Sequence, residues 1–343
     1  MARVRILHCV LLCAALLPPW PAQALDRRQL AVIVNTADPL SVEIGEYYAK
    51  RRRITFQNFI KVSFPPGQAV LSREEFESIK AQADPQALPH VQAFALTWAA
   101  PYRVECMSIT AAFAFGFDPA LCAQGCKPTR ESRYFNSPSR SPFTQLGLRP
   151  AMAIAATSFE RAKELIDRGV EADGTRPKGT AYLLSTSDAA RNVRSASYPA
   201  VSRLAKGRLA VKILKQDVIS ARTDVLFYFT GLARVDGLRS IRFLPGAIGD
   251  HLTSSGGILT DNDSGQMSAL RWLEAGATGS YGTVVEPCNL PQKFPHPGVL
   301  IERYLAGDSL IEAYWKSVRM PGQGIFIGEP LAAPFGPAVV SPN

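Results

Sequence analysis

A histidine and a cysteine whose side chains meet can hydrolyse acyl compounds: the imidazole draws the proton from the thiol, and the thiolate attacks a carbonyl carbon. In this 343-residue chain the candidate pair is His251 and Cys288, 37 positions apart, which leaves room for one crossover helix between two strands. Asp250 beside the histidine and Glu286 beside the cysteine are the carboxylates that could orient the ring. Each residue also has a plainer use. His251 could bond Asp250 or a strand-end carbonyl, and Cys288 could sit in a disulfide.

The stretch Asp224 to Cys288 must place these groups. Two apolar, β-rich runs, Val225 to Phe229 and Ile241 to Ile248, are each followed by a loop. A helix-period segment, Gln266 to Ala275, and a strand-like run, Ser280 to Val285, complete it. Such alternation predicts neighbouring parallel strands. Chemistry in open parallel sheets gathers beyond the carboxyl ends of the strands, and that edge should receive Asp250, His251, the Thr253 to Gly257 loop, Glu286 and Cys288.

Earlier in the chain, Leu30 to Asn35 (LAVIVN) reads as a strand buried on both faces. Ser41 is expected to cap a helix running to Arg53, and Phe59 to Phe64 should complete a βαβ unit. No glycine-rich phosphate fingerprint follows the first strand, so a nucleotide cofactor is not expected. Ser72 and Glu75 form a capping box, Val91 to Trp98 reads as a strand and Ser108 to Phe117 as a short helix. Residues 118–150 carry five prolines and are expected to form an irregular excursion over the same edge of the sheet. Ala151 to Ala156, Gly179 to Ser185 and Leu209 to Leu214 are further strands. Thr157 with Glu160 should cap the helix to about Glu171, and a helix-tending segment runs through Lys206. A helical pattern from Val299 to Val318 has a break expected at Gly307-Asp308, and Gly324 to Ile327 closes the chain as a strand. The expectation is one three-layer α/β/α unit with a mainly parallel sheet and two sub-halves meeting near residue 150.

Residues 1–24 read as a secretory leader: Arg3 and Arg5, an apolar run from Ile6 to Leu17, Pro18-Pro19, then Ala22-Gln23-Ala24 before a mature start at Leu25. Its removal takes the formal charge from +9 to +7, with no basic stripe interleaved with aromatics to suggest nucleic acid. No later run has the 18 or so apolar residues of a membrane span. The expected destination is periplasmic or extracellular, and the expected partner an extracytoplasmic protein, peptide or small molecule. Cys106, Cys122, Cys126 and Cys288 remain after the leader, so disulfides are the default. Three connectivities are open; Cys122 and Cys126 are close enough in sequence to pair locally, which would leave Cys106 and Cys288. Asp261 to Gly265 has alternating oxygen ligands but lacks the downstream bidentate Glu of a calcium loop, so a turn is the simpler reading. Asp250, His251 and Cys288 lack zinc-motif spacing. Gly279-Ser280-Tyr281-Gly282 begins a strand where a nucleophile elbow must end one. His90 and His296, each beside a proline, are read as solvated.

The runs VIVN (Val32 to Asn35), LTW with PYRV (Leu96 to Val104), GATGSYGTVVEPC and PGQGIFIGEPL (Pro321 to Leu331) resemble an uncharacterised family of bacterial secreted proteins. The order of elements is more distantly similar to gingipain-type cysteine peptidases, which share a fold with caspases. That resemblance implies a parallel sheet between helices, with a histidine and a cysteine on loops at adjacent strand ends. In one register Gly231-Leu232-Ala233 takes the Gly-His-Gly position and Gly249-Asp250-His251 the cysteine position, so both catalytic residues are absent. In the other, His251 is the base and Cys288 the nucleophile, although Glu286-Pro287 stands where a small residue is expected. The first register implies a binding or accessory module without peptidase activity; the second implies a cysteine hydrolase, a peptidase or amidase.

Overall fold

The computed structural model describes residues 24–123, 126–260 and 264–337. Most of the expected leader and the triplet Asp261 to Asp263 lie outside the described residues, and with them the calcium-loop question.

The chain alternates strands and helices, as the apolar runs require. In order they are β1 (Leu30–Asn35), α1 (Pro39–Arg52), β2 (Phe59–Val62), β3 (Val70–Leu71), α2 (Arg73–Ala83), β4 (Ala93–Leu96), β5 (Arg103–Val104), β6 (Met107–Ser108) and α3 (Ile109–Phe115). Then come α4 (Pro142–Leu146), β7 (Ala151–Ala153), α5 (Phe159–Ala172), β8 (Thr180–Ser185), α6 (Tyr198–Leu204), β9 (Ala210–Lys215), β10 (Val225–Thr230) and β11 (Phe243–His251). The last are α7 (Leu270–Glu274), β12 (Gly279–Thr283), α8 (Pro297–Leu305), α9 (Leu310–Ser317) and β13 (Gly324–Gly328).

Ten strands form one sheet in the order β2-β1-β4-β7-β13-β12-β11-β10-β8-β9. Neighbours within β2-β1-β4-β7 and within β12-β11-β10-β8-β9 are parallel. β13 joins the two blocks, antiparallel to β12 and meeting β7 through a single bridge between Ile327 and Ala153. The blocks divide after β7, so β7 itself belongs with the first strands of the chain. Three short strands, β3, β5 and β6, make a separate small sheet.

Helices cover both faces. On one, α1 meets α5 through Tyr47 and Phe159, and Arg168 of α5 donates to the Leu273 carbonyl of α7. On the other, Phe76 of α2 meets Phe113 of α3, Phe115 of α3 meets Trp315 of α9, and α9, α8 and α6 pack in succession. β10 shows why a central strand reads as an unbroken apolar run. Phe227 points to Tyr304 of α8, and the next residue, Tyr228, points to Trp272 of α7, so both faces are buried. This is the expected three-layer α/β/α arrangement.

Several local expectations are corrected. Asp38 caps α1 through the Leu40 N–H; the Ser41 hydroxyl is buried instead between the Asn35 N–H and Thr97. Ser158, one residue after Thr157, caps α5. α7 spans only five residues, because Gln266 and Met267 are drawn into the loop below. β11 runs three residues further than expected, and Asp250 and His251 are its last two positions. The capping box at Ser72 and Glu75 and the break at Gly307-Asp308 are as expected.

The cysteine pairing also differs. Cys106 bonds Cys122, and Cys126 bonds Cys288. The chain leaves Cys106 through β6 and α3 and returns beside it 16 residues later, so the local partner of Cys122 is upstream. Cys126 is carried on to the loop beyond β12. From there the insertion does not stay at that edge. The Ser132 and Asn136 N–H groups donate to Arg319 and Lys316 at the end of α9, whereas Arg140 pairs with Asp308 before its start. It therefore descends alongside α9 to the opposite edge of the sheet.

Candidate functional site

Asp250 and His251 end β11, and Glu286 and Cys288 follow β12, the next strand, so the residues singled out for chemistry lie at one edge of the sheet. Thr230 and His251 are the last residues of adjacent strands, and Thr283 ends the third. Above them the 253–257 loop lies directly on β12. A Cβ on Gly282 would stand 2.2 Å from the Gly256 carbonyl carbon, so the approach requires glycine there. Thr283 ties the loop down by donating its hydroxyl to the Thr253 and Ser254 carbonyls at 3.1 and 2.9 Å. On the neighbouring face, Trp272 of α7 lies against Gly249, where a Cβ would stand 2.3 Å from the indole.

His251 is fully buried, and both ring nitrogens are engaged. The Trp272 indole N–H donates to Nδ1 at 2.9 Å. Nδ1 is therefore the acceptor, the proton sits on Nε2, and Nε2–H donates to the Met267 carbonyl at 3.0 Å. Burial, with Arg194 and Arg191 nearby, pushes the imidazole pKa down to about 4. The ring is neutral at physiological pH and held on both sides, which suits a structural bridge between β11, α7 and the loop before it.

Asp250 is also fully buried, facing Arg194, whose Nη1 is 2.5 Å from Oδ1. The contact is close but poorly aligned, and neither carboxylate oxygen has a hydrogen-bond partner among the described residues. Arg194 directs its donors elsewhere, to the Thr230 carbonyl at 2.9 Å and the Pro295 carbonyl at 3.3 Å. Burial raises the Asp250 pKa even though Arg194 pulls it down. Asp250 thus pairs with Arg194, and no hydrogen bond joins it to His251.

Cys288 lies in the loop after β12, bonded to Cys126. The exposed Glu286 side chain accepts the Cys288 N–H at 2.7 Å, closing a turn. The sulfur that hydrolysis would need is thereby committed to a disulfide. At the other position where the peptidase resemblance seeks a base, β10 is followed by Gly231, Leu232 and Ala233, which carry no titratable group. Among the described residues no three His, Cys, Asp or Glu side chains cluster as metal ligands, and no helix is long and apolar enough to cross a membrane. His90 is exposed, and His296 is exposed while its Nδ1 caps α8.

Arg194, Trp272 and Met267, which fix these side chains, carry no signal in the sequence: Trp272 lies 21 residues from its histidine and Arg194 is 56 from its aspartate. A cleft of about 310 Å³ is lined by Glu131 and Phe135 of the insertion, Pro291, Gln292 and His296 of the segment after Cys288, and Arg319. Arg319 stacks on Phe135 with its guanidinium 4.3 Å from the ring centre and reaches Glu131 at 3.2 Å. A larger open groove of about 720 Å³ lies at the amino ends of β8 and β9, on the edge away from His251.

No family model matches the chain, and no curated protein does. Among solved structures, one titled "Structure of Protease" is similar to it at 10% identity, with a TM-score of 0.41 over 91% of this chain and 79% of that one.

Proposed function

We propose that this chain is an exported, non-hydrolytic α/β domain that works as a binding or accessory module outside the cytoplasm. The Cys126–Cys288 bond is the observation that carries this reading, because it takes the one candidate nucleophile out of use. The neutral, doubly bonded His251 supports it, since a ring with a pKa near 4 is a weak base at pH 7. Two disulfides fit an oxidising compartment. For the ligand surface we favour the cleft between the insertion and the loop after Cys288. Its guanidinium lies on an aromatic face beside Gln292, and a peptide carboxylate would bind by taking the place of the exposed Glu131 on Arg319.

Native alkylation followed by peptide mass spectrometry tests the reading. Cys288 should stay unlabelled, and no peptide or amide substrate should be turned over. Labelling of a free Cys288 that falls on His251→Ala, with hydrolysis lost in Cys288→Ala, overturns the proposal in favour of a cysteine hydrolase. Peptides selected against the oxidised protein should lose binding in Arg319→Ala and keep it in His251→Gln.

A further inference from the structure

At the edge opposite His251, the backbone N–H of Leu25 donates to Oε2 of Glu312 at 2.9 Å, with both residues buried. Leu25 is the residue at which the leader motif predicts the mature chain to begin. Glu312 lies in the first turn of α9, and its Oε2 also accepts the Ser309 N–H and hydroxyl, at 3.0 and 2.8 Å. Oε1 has no hydrogen-bond partner among the described residues and stands 3.7 Å from Lys316 Nζ. That lysine is already bonded to Asp308 at 2.8 Å. The fully buried set is therefore two carboxylates, Asp308 and Glu312, against one ammonium, Lys316. Arg140, at 2.9 Å from Asp308, stands at the rim with its side chain one-fifth exposed, and the Tyr134 ring packs on Lys316. Burial raises the Glu312 pKa, with Asp308 adding to the rise and Lys316 opposing it. With Arg140 and Lys316 both turned to Asp308, what Glu312 lacks is a cation of its own and the donors to fill Oε1.

We propose that Glu312 is the receptor for the α-ammonium group formed when a signal peptidase hydrolyses the Ala24–Leu25 bond. Water supplies hydroxyl to the Ala24 carbonyl carbon, which leaves as a carboxylate with the leader. The Leu25 nitrogen takes up protons and becomes an ammonium with three donors and a full charge. An uncut chain offers the same site one amide proton and no charge. The ion pair then fastens the new terminus to α9 and discriminates against cuts elsewhere, since a longer chain presents a neutral amide and a chain starting at Asp26 presents nothing at that point.

The full chain, exported from a bacterium, should have Leu25 as its first residue by intact mass; a different first residue overturns the proposal. Chemical denaturation then compares the chain starting at Leu25 with its Nα-acetylated form, each with and without Glu312→Gln. Acetylation should raise the unfolding equilibrium constant at least about tenfold in the wild type and leave it unchanged in the variant. Equal stabilities, or a gap that survives Glu312→Gln, overturn the assignment. Should the variant not fold, acylation of the Leu25 amine decides: it should be far slower in the native wild type than in the unfolded chain, and equal rates overturn the proposal.

Discussion

The two edges of the sheet each bury an arginine against a carboxylate, and they do it differently. Beyond β13, Arg52 from the end of α1 donates Nε to Oε1 of Glu329 at 2.8 Å and Nη2 to Oε2, while Nη1 bonds Asp173 at the end of α5. Both Glu329 oxygens are satisfied, and Asp173 also takes the Ala333 N–H at 2.9 Å. At the opposite edge Asp250 is paired with Arg194 at 2.5 Å, but neither of its oxygens receives an aligned hydrogen bond from the described residues. Distance alone does not make a buried ion pair stabilising; directed hydrogen bonds do. The first pair, with Glu329 from the GEP motif, ties the two blocks of the sheet together. The edge that gathers His251 and Cys288 is held instead by a disulfide, by the His251 hydrogen bonds and by Arg194 donating to backbone carbonyls.

Removing one partner of the well-bonded pair should break this comparison most visibly. Arg52→Ala leaves Glu329 buried without a counter-charge and should cost about 3–5 kcal/mol, read as a lower urea midpoint. Arg51→Ala, the neighbouring helix position with a half-exposed pair to Asp167, should cost under about 1 kcal/mol. Equal costs would mean that the network does not organise the edge.

The features legible in the sequence are those whose causes are local. Leu30 to Val34 had to be a strand buried on both faces because it has no polar position to turn outward, and Asn35 ends the run with its side chain bonded to Phe64. Ser72 and Glu75 cap α2 because the partners are three residues apart. What misleads is tertiary competition. Ser41 has the chemistry of a cap, but the strand end and Thr97 claim its hydroxyl. Gln266 and Met267 have helical spacing, but the 253–255 loop binds the Gln266 side-chain Oε1 and His251 takes the Met267 backbone carbonyl. Cys122 and Cys126 are near in sequence, yet one looks back along the chain and the other reaches across to Cys288. His251 and Cys288 were legible as residues of one edge, because strand ends follow from apolar runs. Their bonding was not, because Trp272 and Cys126 come from elsewhere in the chain.

The acid limb of stability should report the state of His251. Its folded pKa, about 4, lies below the unfolded value near 6.5. The neutral ring's contribution is present above the unfolded value and is lost as pH falls through the folded one. Relative to His251→Gln, which can still accept from Trp272 and donate to Met267, the wild type should lose up to about 3 kcal/mol between pH 6.5 and 4. Urea titrations across that range check it, and a difference constant with pH would mean that the histidine is not held neutral.

Asp250, the preceding residue, should tilt the other way and by less, because Arg194 opposes the effect of burial. Its folded pKa lies above the unfolded value near 3.9. The protonated carboxyl therefore favours the folded state fully below that value, and the advantage fades as pH rises through the folded pKa. Asp250→Asn keeps the shape and leaves the Arg194 bonds to Thr230 and Pro295 in place. Relative to this variant the wild type should gain stability as pH falls toward 4, opposite in sign to the change measured for the His251 pair. Opposite slopes from two adjacent residues would locate one carboxyl starved of donors and one imidazole fully supplied with them. A slope of the same sign at both positions would mean instead that Arg194 satisfies Asp250 as completely as Arg52 satisfies Glu329, and the contrast between the two edges would disappear.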